Sequence, residues 1–480
     1  MRILYEPGEN ANSHIRKIGI KFANQHHIFE TQMGVLTSIL PNFGEVFHIA
    51  FLVIVTYYGW VFFVLGLIYM LYFEYLEEIQ GQFVRSTEWV FLQILVPKEN
   101  TVSTMGVENI FAQMHALHRS LTWNERFVEG KFQLWYSLEI VSFGGTVSFI
   151  LRVPKRSRHL VESAFYAQYP SAEIHEVSDY MENFKLDPYK DDNEYDFFGT
   201  EWKMSQDSVI PIKTYKDFEH PSAEEKVIDP LANMIETMER VKPHEFMSLQ
   251  ILIQPIQNDE WEARAKRKIK ELTGEEIPHE ASILRFLLAP LHWFAGFSYK
   301  ETLFGPHHAH AEPENKPRNN WLNMSEAEKG RVTLIENKID KACYNTKIRL
   351  LYIAPKAEYD KGRRFELIGA LRLFSPGGGS GMHNTIRPDM STWTKVDPYF
   401  SQGLEGPILK MITNYRKYWF LRGYKNRSVY VGAPKFLLST EELATLFHFP
   451  ITFETTVAPA QVQAIASKTA RPPANLPTAE

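Results

Sequence analysis

The sequence predicts an α+β protein with one N-terminal transmembrane helix, then two ferredoxin-like (βαββαβ-type) units, then a C-terminal linker. Three observations predict it. Residues 46–73 read VFHIAFLVIVTYYGWVFFVLGLIYMLYF, 28 positions without Asp, Glu, Lys or Arg. Residues 88–180 alternate between period-2 and helical patterning in the order β-α-β-β-α-β. Residues 209–435 show a second α/β pattern, broken by an insertion at 277–323. Composition agrees with a chain that mostly folds: 44% of its 480 residues are hydrophobic, 14% aromatic and 23% charged.

Taken in order, residues 1–45 form an arm. The run at 46–73 exceeds the roughly 20 residues that a helix needs to cross a ~30 Å hydrocarbon layer. Lys and Arg are too sparse on both flanks to set its orientation. Glu88–Pro97 is a strand closed by proline. Ser103–Arg119 is a helix with Val107, Ile110, Met114 and Leu117 at helical spacing. Lys131–Phe143 and Thr146–Val153 are strands joined by the Gly144-Gly145 turn. Arg158–Tyr169 is a helix and Ala172–Val177 a strand. Residues 181–208 read as an acidic linker, because Glu173–Asp207 carries eleven acids against three lysines. That stretch is either a solvated loop or a dock for a basic partner.

In the second unit, Pro230–Val241 and Asn258–Thr273 are helices flanking a strand at Glu245–Pro255. Ser325-Glu-Ala-Glu328 is a capping box that opens a helix to about Lys341. Thr346–Ala354 is a strand, Lys361–Phe374 and Ile408–Leu421 are helices, and Arg427–Val431 is a strand. A second capping box, Ser439-Thr-Glu-Glu442, opens a short helix within a segment at 436–456. Residues 457–480 are rich in Pro and Ala, as linkers are.

Charge and motifs exclude several functions. A net charge of −5 argues against coating nucleic acid by bulk charge. A single cysteine, Cys343, excludes an internal disulfide framework and a cysteine-rich zinc site. The sequence has no G-x-x-x-x-G-K-[ST], no H-E-x-x-H and no EF-hand loop. SPGGGSG at 375–381 reads as a flexible connection or, alternatively, an anion nest. No cofactor is expected. The most ligand-like cluster is His307, His308, His310 and Glu312, of imidazoles and a carboxylate suited to zinc or copper. Its Pro-rich setting offers little rigid support.

One basic-aromatic strip stands out. Lys410, Arg416, Lys417, Arg422, Lys425 and Arg427 lie among Tyr415, Tyr418, Trp419, Phe420 and Tyr424, with no acid between Glu405 and Glu441. Such a strip suits single-stranded nucleic acid, with cations on phosphates and rings on bases. The competing reading is a helix whose rings face a core and whose cations face water.

FLQILVPKEN at 91–100, LRVPKRSRHLVESAFYAQYPSAEIHEV at 151–177, FLLSTEELATLFHFP at 436–450 and SKTARPPANLP at 467–477 together carry a resemblance. They resemble the membrane-proximal N-terminal region of conjugation-type (type IV secretion-like) DNA-transfer ATPases from ultra-small bacteria. In that family the last two passages lead into a RecA-like motor of the FtsK/HerA type. The resemblance implies a single-pass protein of the inner membrane, its body in the cytoplasm and in contact with lipid. It further implies a homo-oligomeric ring without catalysis of its own, tethering a translocating ATPase encoded separately or lost. Glu441, Glu442, Leu443, Leu446, Phe447 and His448 would form the motor dock. Oppositely charged stretches would meet between neighbouring subunits. The alternative is an accessory module that binds single-stranded nucleic acid.

Overall fold

A computed structural model describes residues 59–97, 102–190, 192–218, 229–274, 324–374, 382–392 and 405–450. They fall into two compact units, one of residues up to 83 with 127–130, the other of the remainder. The first unit is dominated by α1 (Gly59–Ser86), which continues three residues beyond it.

The elements that follow are β1 (Trp89–Leu95), α2 (Thr104–His115), α3 (Trp123–Phe127), β2 (Tyr136–Phe143), β3 (Thr146–Pro154), α4 (Arg158–Gln168) and β4 (Glu173–Val177). Next come β5 (Tyr195–Met204), α5 (Ala232–Glu239), β6 (Phe246–Pro255), α6 (Asn258–Thr273), α7 (Glu326–Ile339) and β7 (Cys343–Pro355). The chain continues through α8 (Arg363–Arg372), β8 (Ile386–Ser391), α9 (Glu405–Lys425), β9 (Phe436–Ser439) and α10 (Thr440–Leu446).

The nine strands among the described residues join one antiparallel sheet, in the order β4-β1-β3-β2-β6-β7-β5-β8, with β9 paired to the start of β7. The order β4-β1-β3-β2 is repeated from the other edge as β8-β5-β7-β6. The two halves meet at β2 and β6, whose register runs from Tyr136↔Ile253 to Phe143↔Phe246.

The expected architecture is corrected on two points. First, no helix among the described residues is long and apolar enough to cross a membrane. Within α1 only Gly59–Phe73 is uncharged; Glu74, Glu77, Glu78 and Arg85 follow. Those 15 residues rise about 22 Å, short of a ~30 Å hydrocarbon layer. Residues 46–58 of the expected span lie outside the described residues, as do the N-terminal arm, the insertion at 277–323, the glycine run at 375–381 and the linker at 457–480. Second, the strands do not form two separate ferredoxin-like units, because β2 and β6 close them into one continuous sheet. The acidic linker also contains β5, where Phe197, Phe198 and Trp202 are buried.

Local chemistry explains the turns and ends. Gly144 and Gly145 have φ of 56° and 86°, the two positive values that a tight type I′ hairpin requires. A side chain at Gly145 would meet the Glu239 carbonyl oxygen at 2.6 Å. Both capping boxes form: Ser325 with Glu328 at α7, and Ser439 with Glu442 at α10.

Strand alternation sends residues to two different faces. Leu138, Ile140, Phe149, Leu249, Ile251, Leu350 and Tyr352 join a large core with α2, α4, α5, α8 and α10. The opposite face packs Val141, Ile150, Phe246, Leu351 and Ile353 against Phe420, Leu421 and Tyr424 of α9. A third cluster joins Trp261 of α6, Ile335 of α7, Cys343 and Leu437.

Candidate binding surface on the last long helix

Helix α9 is seated by shape and then by charge. Gly199 on β5 has no Cβ, and one built there would lie 2.1 Å from the Phe420 ring. Phe420 therefore occupies the space a side chain would need. Gly423 similarly lets the Arg349 guanidinium approach; a Cβ there would stand 3.1 Å from it.

Beneath the end of α9 lies a buried ionic layer. Glu139 on β2 is fully buried and accepts from Arg427 Nε at 3.1 Å, Gln250 Nε2 at 2.9 Å and Tyr180 O–H at 2.7 Å. Arg427 also forks onto Asp179, with Nη2 to Oδ1 at 2.7 Å. Tyr180 and Tyr424 share a hydroxyl hydrogen bond of 2.8 Å, and Tyr424 meets Ser248. Arg349 on β7 donates to Glu201 on β5 at 2.6 Å. It also donates to the carbonyls of Gly423 at 3.0 Å, Ser428 at 2.8 Å and Val431 at 2.7 Å. The second oxygen of Glu201 accepts from the Ala433 amide. Arg152 on β3 completes the layer, 3.7 Å above the Trp89 ring. Three carboxylates thus face three guanidiniums.

Burial works to raise the Glu139 carboxyl, but the Arg427 charge and the hydrogen bonds from Arg427, Ser137 and Tyr180 hold it below the ordinary carboxylate range. Burial and the Glu139 charge push the Tyr180 phenol well up. Burial and the neighbouring Arg427 push Arg152 down to about 9. Glu139, Tyr180 and Arg152 therefore each keep a single charge state around neutrality. Such a layer suits fixing geometry better than carrying protons.

The basic strip divides along this boundary. Arg427 lies within the layer. Lys417 pairs with Asp196 and stands over the Phe197 ring, and Lys425 Nζ donates to the Phe184 carbonyl at 2.9 Å. Lys410 and Arg422 are exposed, and Arg416 and Trp419 are half-buried. Trp419 is ringed by Tyr415 at 6.1 Å, Tyr418 at 5.8 Å and the Arg422 guanidinium at 5.1 Å. Tyr189 reaches Tyr418 at 5.6 Å. The rings of the strip divide in the same way: Phe420 and Tyr424 face the core, whereas Tyr415 and Tyr418 stay outside. The acidic and basic stretches meet within the chain, through Asp196–Lys417 and Asp179–Arg427.

The expected docking residues are mostly interior. Glu442 is fully buried, ion-paired to Lys338 at 2.7 Å, and accepts from the Ile212 amide at 2.8 Å. Leu443, Leu446 and Phe447 belong to the large core. His448 contacts Asp229 at 2.9 Å and the Ala444 carbonyl at 2.9 Å. Only Glu441 reaches solvent, between Lys216 and Lys341. His307, His308, His310 and Glu312 lie outside the described residues, and no metal-binding group occurs among the described ones.

Sequence reading missed Glu139, Asp179, Tyr180, Glu201 and Arg349. A signal existed: Glu139 is the one charge within YSLEIVSF, and Arg349 leads directly into the apolar run LLYIA of β7. A charge in the middle of such a strand demands a partner.

No curated protein sequence matches the chain. A family model described as a domain of unknown function, DUF8128, matches residues 72–375. The match takes in the first seven strands and α8 and ends before β8, so α9 and its strip lie beyond it. Because it covers more than half of the sequence, the chain belongs to the DUF8128 family.

Proposed function

We propose that the protein is a non-catalytic positioning module of a type IV secretion- or conjugation-like DNA-transfer apparatus, holding a translocating ATPase beside its cargo. One observation carries this reading. The segment that resembles the approach to a motor is locked into the core rather than hanging from it. Phe447 packs against Phe111 and Phe149, and Phe449 against Phe149, Phe165 and Tyr169. A load applied beyond Pro450 would be borne by the whole sheet-bearing unit. The test is affinity purification of the tagged chain from its native cells under gentle conditions. Co-purification of a P-loop ATPase is expected, and repeated recovery without one would sink the proposal.

The exposed rings of α9 favour a second reading, contact with single-stranded nucleic acid. Tyr189, Tyr415, Tyr418 and Trp419 offer stacking faces beside Arg422. Fluorescence anisotropy with a labelled oligothymidylate at low salt tests it. Trp419→Ala should weaken binding about tenfold, as the loss of one stacked base does. No binding by the unaltered chain rejects this reading.

A further inference from the structure

Where β5 begins, the approach to α8 and the inner side of α9 border a half-open pocket of about 380 Å³. Its position is distinct from the outer rings of α9. Lys361, Arg364 and Lys417 line it, against one acid, Asp196. The acid is already engaged: its Oδ1 accepts from Lys417 and, at 2.8 Å, from the Phe197 amide. Three cations and one acid thus line the wall, in a half-open concavity where solvent screens less than on a flat surface.

The remaining lining is of two kinds. Phe197 and Tyr359 present ring surface. Tyr359, Thr392 and Thr413 bring hydroxyl groups. Thr392 Oγ1 accepts from the Gly199 amide at 2.9 Å, which leaves its O–H to donate elsewhere. Burial, with the nearby Asp196 charge, drives the Tyr359 phenol upward, so it stays a donor through neutral and mildly alkaline pH.

We propose that this pocket binds a phosphorylated small molecule of mononucleotide size, its phosphate set among Lys361, Arg364 and Lys417 and its flat body against Phe197 and Tyr359. The volume falls in the range of small-ligand sites, about 300–1,000 Å³. Cations and hydroxyl donors match a phosphate dianion. The Asp196 carboxylate would accept from a sugar hydroxyl or an exocyclic amine, which a bare phosphate lacks.

Calorimetric titration of the full chain with AMP, ribose 5-phosphate, inorganic phosphate and adenosine tests the assignment. AMP should bind most tightly, ribose 5-phosphate more weakly, and adenosine not measurably. Lys361→Ala, at an exposed position, should leave the melting temperature unchanged and weaken AMP by about tenfold, the loss of one charge-assisted contact. Lys417→Ala should weaken it further. Absence of AMP binding overturns the proposal. So does adenosine binding as tightly as AMP, inorganic phosphate matching AMP, or Lys361→Ala binding AMP like the unaltered chain.

Discussion

Replacing Arg427 with methionine keeps much of the side-chain volume and deletes the guanidinium. Arg427 is 1% exposed and Glu139 is fully buried, so the change strands a carboxylate where water cannot reach it. Breaking a buried ion pair from one side costs about 3–5 kcal/mol. Total stabilities run to about 5–15 kcal/mol, so the loss is a large share. The assay is urea unfolding of the sheet-bearing unit, followed by tryptophan fluorescence and circular dichroism. A large fall in midpoint with an unchanged slope is expected.

The pH dependence has a definite sign. In the native chain the Glu139 carboxyl titrates below its ordinary range. Its contribution is therefore fully present above the unfolded value of about 4.3 and is lost as pH falls through the depressed folded value. In Arg427→Met burial works against only the remaining hydrogen bonds and the Arg152 charge, and the carboxyl is driven up. The penalty should be greatest near neutrality and shrink towards about pH 4. Glu139→Gln in the same chain should recover part of the loss, because an amide oxygen at the Oε1 position still accepts from Ser137, and the amide nitrogen can donate to the Tyr180 hydroxyl, without carrying charge. A penalty under about 1 kcal/mol, or one unchanged between neutral and acid pH, would refute the reasoning.

Burial pushes the Cys343 thiol up to about 12, so a thiol-specific dye at mildly alkaline pH should label it only after unfolding; rapid labelling of the native chain would contradict its placement. Gly432 has φ of 96°, and a Cβ there would lie 2.0 Å from Glu201 Oε2. Gly432→Ala should therefore lower stability by about 1–3 kcal/mol, measured by thermal melting. Burial opposes ionisation of Asp229, but hydrogen bonds from His448 and from the amides of Leu231 and Ala232 keep its carboxyl below the ordinary value. Its contribution is present above about pH 3.9 and lost as pH falls through the depressed value. His448→Ala should narrow this acid-dependent loss in melting curves recorded from pH 6 to 3, and identical curves would contradict it.

Much of the sheet was legible because its strands alternate cleanly around Gly and Pro. Tyr136–Phe143, the Gly144-Gly145 turn and Thr146–Pro154 follow directly from that pattern. The two capping boxes were equally readable, since each is a local contact between residues three apart. Failures came where a distant partner decides. β5 lies in an acidic stretch whose charge concealed Phe197, Phe198 and Trp202. The Arg427–Val431 segment has strand-like residues, yet Arg427 adopts φ of 48° and the backbone turns so that Ser428 and Val431 carbonyls reach Arg349. The apolar run at 46–73 suggested one span, but the helix that contains its second half continues into Glu74, Glu77 and Glu78. Of the binding strip, the composition was visible but the division was not: nothing local tells that Arg427 turns inward while Arg422 stays on Trp419.

The seam between the repeated strand orders gives the ionic layer a reason beyond stability. β2 and β6 are buried along their whole length, on both faces. Burial alone discriminates poorly between registers there, because a one-residue slip exchanges one buried face for another. Glu139 removes that ambiguity. A slip would turn it into the core of Leu138 and Ile140, away from Arg427 and Gln250. The charge thus penalises the wrong pairing more than it rewards the right one. Replacing Glu139 with leucine and Arg427 with methionine together is then expected to preserve much of the melting temperature. The β2 and β6 amide resonances should broaden or double, with faster hydrogen exchange along the seam. Single sharp resonances and native exchange rates in that double variant would assign the layer to stability alone.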